Sequence, residues 1–307
     1  MRETSYQVAG HRFSVRVSDG IELSEALAPY APFAVGSDAG VPAGPEANVP
    51  AGPAAPIFRL EVVPEAALTM PQGAVLEFEQ DDEGSQIRVF RTLAGENWFE
   101  FLLWNHLAGK MRVSGDFREA SLALVAHGSF ALGNALMVMY ALSTAKLGTA
   151  LFHAAVIGYE GKGYLFLGKS GTGKSTHARL WLKHVPGSEL INDDNPVVRV
   201  FPDGSVRVYG SPWSGKTPCY RNVDLPAGGF VQLAQAPYNA IRRLRGISAY
   251  ASLLTSISGK RWDRSLADGL HETENALAAQ VPVWHLDCLP DAAAAHLCRD
   301  VITQEES

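Results

Sequence analysis

The chain has 307 residues and is 47% hydrophobic, enough for two domains or one large one with an ample core. Its formal net charge of -6 argues against nucleic acid as a main partner, because backbone phosphates demand a basic face. Cys219, Cys288 and Cys298 make no paired disulfide framework and suit a reducing, cytoplasmic setting, and with His285 and His296 they match no common zinc spacing.

Residues 1–6 are too polar for a secretory signal. Alternation of apolar and polar residues over 6–18 predicts a half-buried strand, and similar runs recur at 57–63, 74–79, 87–92, 98–103 and 120–125. Together they predict an antiparallel β-rich unit over 1–128. Residues 36–56 are rich in Ala, Gly and Pro and twice read Val-Pro-Ala-Gly-Pro, which predicts a flexible surface insertion without chemistry. The longest apolar stretch, 130–145, contains Gly133, Asn134, Ser143 and Thr144; it reads as a buried helix, with no membrane span.

From 129 to 307 the pattern becomes α/β. Strands are expected at 153–158 and 163–167, joined by a turn at 159–162. Residues 168–175 then read Gly-Lys-Ser-Gly-Thr-Gly-Lys-Ser, a complete G-x-x-x-x-G-K-[ST] phosphate-binding loop, followed by a helix over 176–184. Strand, glycine loop and helix in this order are what phosphate binding requires. Gly168, Gly171 and Gly173 let the backbone turn its N–H groups inward, and Lys169, Ser170, Thr172 and Thr176 complete the cradle and the helix start. Lys174 would reach the β- and γ-phosphates of ATP, and the Ser175 hydroxyl would take a place on Mg²⁺.

A short strand at 189–192 ends in Asp193 and Asp194. Ligands in open α/β sheets bind at the carboxyl ends of strands, so these acids suit metal holding and proton acceptance; the plainer alternative is a polar turn ending in Asn195-Pro196. His153, at the start of its strand, would lie either at the loop or at the opposite end of the sheet, and a lone His beside an apolar strand is equally a core residue. Further on, 197–232 reads as β-rich, 248–258 and 262–279 as helices, 281–286 as a strand, and the chain from Pro290 as a helix. Residues 211–221 form a Gly-Pro loop whose Lys216 and Arg221 could neutralise a transferred phosphoryl group, or a loop and nothing more. Arg242, Arg243 and Arg245 are either a solvated basic face or a contact for an acidic substrate.

His153, the loop 168–175 and Asp193-Asp194, in this order and at these intervals, resemble the catalytic core of bacterial HPr kinase/phosphorylases, which ATP-dependent phosphoenolpyruvate carboxykinases share. The resemblance covers about fifty residues well and extends loosely to Leu233. It implies a mixed α+β P-loop kinase core with a catalytic trio of His153, Asp193 and Lys174. In it Asp193 is the general base toward a hydroxyl, His153 assists Asp193, and Asp194 with Ser175 holds metal. It also implies ATP and Mg²⁺ as cofactors, a hydroxyl-bearing small molecule or peptide as acceptor, and a homo-oligomer. In the HPr kinases an acidic residue stands where this chain has 208–216, a segment without one, so the resemblance reaches reaction class and stops before the acceptor. Two other functions stay open: a nucleotide-responsive peptide-binding scaffold with little turnover, and a carboxykinase-like enzyme.

Overall fold

The computed structural model describes residues 1–35, 55–215 and 217–304. The protein is mixed α+β with two large mixed sheets, and it divides into two compact units, Met1–Ser143 and Thr144–Ser307. Among the described residues no helix is long and apolar enough to cross a membrane. The insertion expected over 36–56 falls, apart from its last two residues, outside the described residues.

In the first unit, β1 (Arg2–Val8) and β2 (His11–Val17) form a hairpin where the alternation predicted one long strand. The break is at Ala9 and Gly10, both left-handed (φ 49 and 76), and an alanine there gives no turn signal. Next come α1 (Ser24–Leu27), β3 (Ala34–Val35), β4 (Arg59–Val63) and the meander β5 (Val75–Asp82), β6 (Ser85–Arg91), β7 (Asn97–Leu103), β8 (His106–Val113) and β9 (Glu119–Leu124), closed by α2 (Gly128–Thr144). The sheet order is β3-β1-β2-β4-β9-β8-β7-β6-β5. It is not wholly antiparallel as expected. β4 is inserted between the hairpin and the end of the meander, and it runs parallel to both β2 and β9 because a crossover, not a hairpin, leads to each. β8 was not foreseen, because Gly109 interrupts its alternation; that glycine lets α2 approach, since a Cβ there would stand 2.7 Å from the Ala131 Cβ. The Tyr140 hydroxyl donates to the Val8 carbonyl at 3.0 Å and its ring meets Phe13 edge-on, which binds α2 to this unit. The chain passes from the first unit to the second at 143/144, in the last turn of α2.

The second unit contains β10 (Thr149–Leu151), β11 (Ala154–Tyr159), β12 (Lys162–Leu167), α3 (Lys174–His184), β13 (Glu189–Asn192), β14 (Val197–Val200), β15 (Val206–Tyr209), β16 (Asp224–Gln235), β17 (Ala240–Leu244), α4 (Ile247–Leu254), α5 (Arg264–Gln280), β18 (Val283–Cys288) and α6 (Ala292–Gln304). Its sheet follows β10-β14-β15-β16-β12-β11-β13, with β18 on β16 and β17 on β18. β12 pairs parallel with β16, and β16 parallel with β18. β11 is antiparallel to both β12 and β13, so β13 points the same way as β12. The carboxyl ends of β12, β13, β16 and β18 consequently gather along one rim.

Helix α3 is held on this sheet by Trp181, fully buried, whose ring centre lies 5.7 Å from Phe166, 5.8 Å from Tyr159 and 6.1 Å from Tyr164. Ala155, Ile157, Trp284 and Leu286 of the sheet, with Ala295, Cys298 and Ile302 of α6, complete the same apolar cluster. Burying so much aromatic surface anchors α3 and, with it, the loop that precedes it.

Candidate functional site: a glycine-rich loop and an acid pair on one rim

β12 stops at Leu167 and α3 starts at Lys174, so the glycine-rich segment lies on the strand rim as the sequence predicts. Gly168, Gly171 and Gly173 have φ of 152, 76 and 107, values at which an L side chain is strained, and a Cβ on Gly168 would press on Thr172 at 3.0 Å. Gly173 is the N-cap of α3 and supplies no side-chain acceptor to its first N–H groups, which leaves that helix start suited to an anion. Lys174 is buried, and its Nζ donates to the carbonyls of Gly168 (3.0 Å) and Lys169 (3.3 Å). Lys169 and Ser170 are exposed at the tip, while Ser175 and Thr176 are half-buried in the first turn of α3. β16 and β18 run on past the end of β12, to Gln235 and Cys288, and wall one flank of the loop. Gln235 fastens the loop there: its Nε2 donates to the Gly171 carbonyl at 3.1 Å and to that of Thr172 at 3.4 Å.

The β11–β12 register decides the position of His153. Ala154 pairs with Leu167, so His153 is level with Gly168 at the loop end. β13 returns to the same end, where the Ala154 N–H donates to the Asp194 carbonyl at 2.8 Å. His153 Nε2 lies 3.3 Å from Asp194 Oδ1, each side chain being about one-third exposed (36% and 33%).

The partner of His153 is thus Asp194, a correction to the expected pairing with Asp193. Asp193 and Asp194 lie in a bend just past β13, and of the two it is Asp194 whose carboxylate stands beside His153. Asp193 is only 4% exposed, and its Oδ2 accepts the Thr217 N–H at 3.1 Å. Between strand and acids sits Asn192, fully buried. Its Oδ1 accepts the Asp194 N–H at 2.9 Å, and its Nδ2 donates to Ser211 Oγ (3.1 Å) and the Trp213 carbonyl (3.2 Å). Asn195 Nδ2 donates to Asp194 Oδ2 at 2.7 Å. Asn192 and Asn195 were not foreseen as site residues. The one available signal was an amide at the inner end of an apolar strand, a place that tolerates only a fully hydrogen-bonded polar group.

The 211–221 segment folds over the acid pair. The Ser211 hydroxyl donates to the Asn195 carbonyl (2.6 Å), and the Ser214 hydroxyl donates to the Thr217 carbonyl (2.6 Å) while accepting the Cys219 N–H (3.2 Å). Gly215 packs on Asp194, where a Cβ would come within 3.1 Å of the acid's own Cβ. Burial pushes the Cys219 thiol up, and its Sγ donates to the Ile191 carbonyl at 3.4 Å. Arg221 does not reach a phosphoryl position. It pairs with Glu189 at 2.8 Å and donates to the Leu190 carbonyl at 2.7 Å, at the far end of β13 from Asp193. Lys216 lies outside the described residues. The arginine run is also remote: Arg243 stacks over Trp284 at 4.6 Å, and Leu244 pairs with Val283 at the start of β18.

Among the described residues no three or more His, Cys, Asp or Glu side chains cluster as a metal cage. Mg²⁺ beside a phosphate loop needs none, since phosphates and water supply most of its ligands alongside one or two protein oxygens. Ser175 and the acid pair are donors of that kind on this rim. No protein-family model and no curated protein matches the chain.

Proposed function

We propose that this chain is an ATP-dependent, Mg²⁺-requiring phosphotransferase with a P-loop kinase core of the HPr-kinase type, moving the γ-phosphoryl of ATP to a hydroxyl of a serine side chain or small metabolite in the cytoplasm. One observation carries the proposal: the loop of 168–175 and the His153–Asp194 pair share one rim of one sheet, although they come from three strands.

The loop amides and the start of α3 bind the phosphates, and Lys174 exchanges the Gly168 and Lys169 carbonyls for phosphate oxygens. Ser175 and the acid pair would hold Mg²⁺, which would supply charge neutralisation for the phosphates. Asp194 receives the proton of the acceptor hydroxyl as its oxygen bonds to the γ-phosphorus; the bond from that phosphorus to the bridging oxygen breaks, and ADP keeps the electron pair. His153 donates from Nε2 to Asp194 and holds the carboxylate in place. Asp193, through the Thr217 N–H, fixes the segment that covers the site.

The test is incubation of purified protein with Mg²⁺ and γ-labelled ATP in the presence of free serine, other hydroxylated metabolites, serine peptides and oxaloacetate. Label on a hydroxyl is the expected result. Decarboxylation of oxaloacetate would favour the carboxykinase chemistry, and nucleotide binding without either reaction would favour a scaffold.

A further inference from the structure

We propose that Arg261 and Glu274 are positioning residues for His153: together they fix the turn between α4 and α5 that holds the His153 backbone, and so set the contact between His153 and Asp194. The bearing of this on catalysis rests on the phosphotransferase reading above.

The chain around His153 is gripped from both sides. Toward the acids, the Phe152 N–H donates to the Pro196 carbonyl at 3.0 Å and the Ala154 N–H to the Asp194 carbonyl at 2.8 Å. The His153 N–H between them donates instead to the Ser256 carbonyl at 2.7 Å. Phe152 faces Ile257 in an antiparallel bridge, and the Ser258 N–H donates to the Leu151 carbonyl at 2.9 Å. Residues 256–258 thus behave as a short neighbouring strand, and their place sets that of His153.

The turn lies outside both helices, so its carbonyls need partners from elsewhere. Arg261 Nη2 donates to the carbonyls of Leu254 (3.0 Å) and Ile257 (3.3 Å), on either side of Ser256, and to Glu274 Oε1 of α5 at 2.6 Å. Glu274 is fully buried; its Oε2 accepts the Tyr250 hydroxyl of α4 at 3.0 Å and lies 3.2 Å from His271 Nδ1. Taking such a pair out of water is costly, and apolar residues would join two helices as well or better. What apolar packing cannot do is hold two carbonyls of an irregular turn in place, and a guanidinium anchored on a buried acid does. The separation of 3.3 Å between His153 Nε2 and Asp194 Oδ1 is already long for a hydrogen bond, so a shift of the turn by about 1 Å would break it.

The test compares the full native chain with Arg261→Met, Arg261→Lys and Glu274→Gln, and with Leu277→Ala, a deletion at a buried position of α5 that removes none of these bonds. Two readouts are taken well below the melting temperature: the His153 ring signals in NMR, assigned with His153→Gln, and the transfer of label from γ-labelled ATP to free serine or serine peptides, beside ATP titrations. Arg261→Met should move the His153 signals and lower kcat by about 10- to 10²-fold, with ATP affinity within about twofold of native. Arg261→Lys, whose ammonium can serve the same carbonyls, should recover most of that loss. Leu277→Ala should melt earlier yet keep native signals and native kcat. Should Arg261→Met not fold, Glu274→Gln decides, because it keeps its shape and an oxygen for Arg261; the same movement of signals and a loss of about fivefold are expected. Native His153 signals or a native kcat in the folded variants, or an equal loss of kcat in Leu277→Ala, would overturn the proposal. If the native protein transfers no label, the phosphotransferase reading fails, and the His153 signals alone decide whether Arg261 and Glu274 hold this residue.

Discussion

His153 Nε2 stands 3.3 Å from Asp194 Oδ1, while the neighbouring Asp193 accepts the Thr217 N–H at 3.1 Å and is shielded from solvent. Of two adjacent carboxylates, one is partly exposed beside His153 and the other is bound to the covering segment.

This division predicts unequal losses. Asp194→Asn should lower phosphoryl transfer by about 10²- to 10⁴-fold, the usual contribution of a positioned base, with ATP affinity retained. Asp193→Asn keeps an oxygen for the Thr217 N–H and should cost much less activity. Asp193→Ala, which abolishes that bond, should lower stability by about 1–3 kcal/mol. Label-transfer rates beside ATP titrations give the answer; a greater loss of transfer in Asp193→Asn would return the base role to Asp193.

His177 predicts an acid-dependent stability. Burial alone pushes its pKa down from 6.5 to about 4. In the unfolded chain it takes up a proton as pH falls below 6.5, while the folded protein holds it neutral until about 4, so stability is full above 6.5 and declines between those values. The decline should be on the order of 3 kcal/mol. Urea melts at pH 7.5 and 5 should show about 2 kcal/mol of it, and His177→Leu should lose that part of the difference. An identical pH dependence in the variant would assign the effect to other groups.

Gly210 precedes the covering segment and packs tightly on its far end at Arg221. A Cβ there would lie 2.0 Å from the Arg221 carbonyl oxygen, so Gly210→Ala forces backbone to shift. The expected cost is about 1–3 kcal/mol of stability. Transfer activity should fall further than the Asp193→Asn variant shows, because Thr217 and Gly215 move with the segment. Thermal melts and transfer rates measured together would check this, and a variant with native stability would show that the backbone yields freely.

Gln235 predicts a separable effect on binding. Its two bonds to the loop carbonyls hold the cradle to β16, and its side chain is exposed. Gln235→Ala should weaken ATP about fivefold, corresponding to the roughly 1 kcal/mol of a net hydrogen bond, with little change in melting temperature. Unaltered affinity would mean the loop keeps its shape without this tie.

Much of the second unit was legible because its chemistry is local. A strand, a glycine turn and a helix occupy one short stretch at 163–184, and steric freedom at Gly168, Gly171 and Gly173 is written in the residues themselves. The first unit was less legible. Ala9 carries no turn signature, and Gly109 is explained by a helix that the local pattern does not mention.

The amino-acid order by itself determined that a glycine-rich loop joins a strand to a helix, that two acids follow one helix later, and that strands dominate the first part of the chain. Only the tertiary structure decided which acid meets His153, that Arg221 is spent on Glu189, and that β4 lies parallel between strands distant in sequence. The physical reason is common to all three. Backbone conformation depends on near neighbours, whereas strand register and side-chain pairing are set by contacts between segments that adjoin only after the sheet has formed.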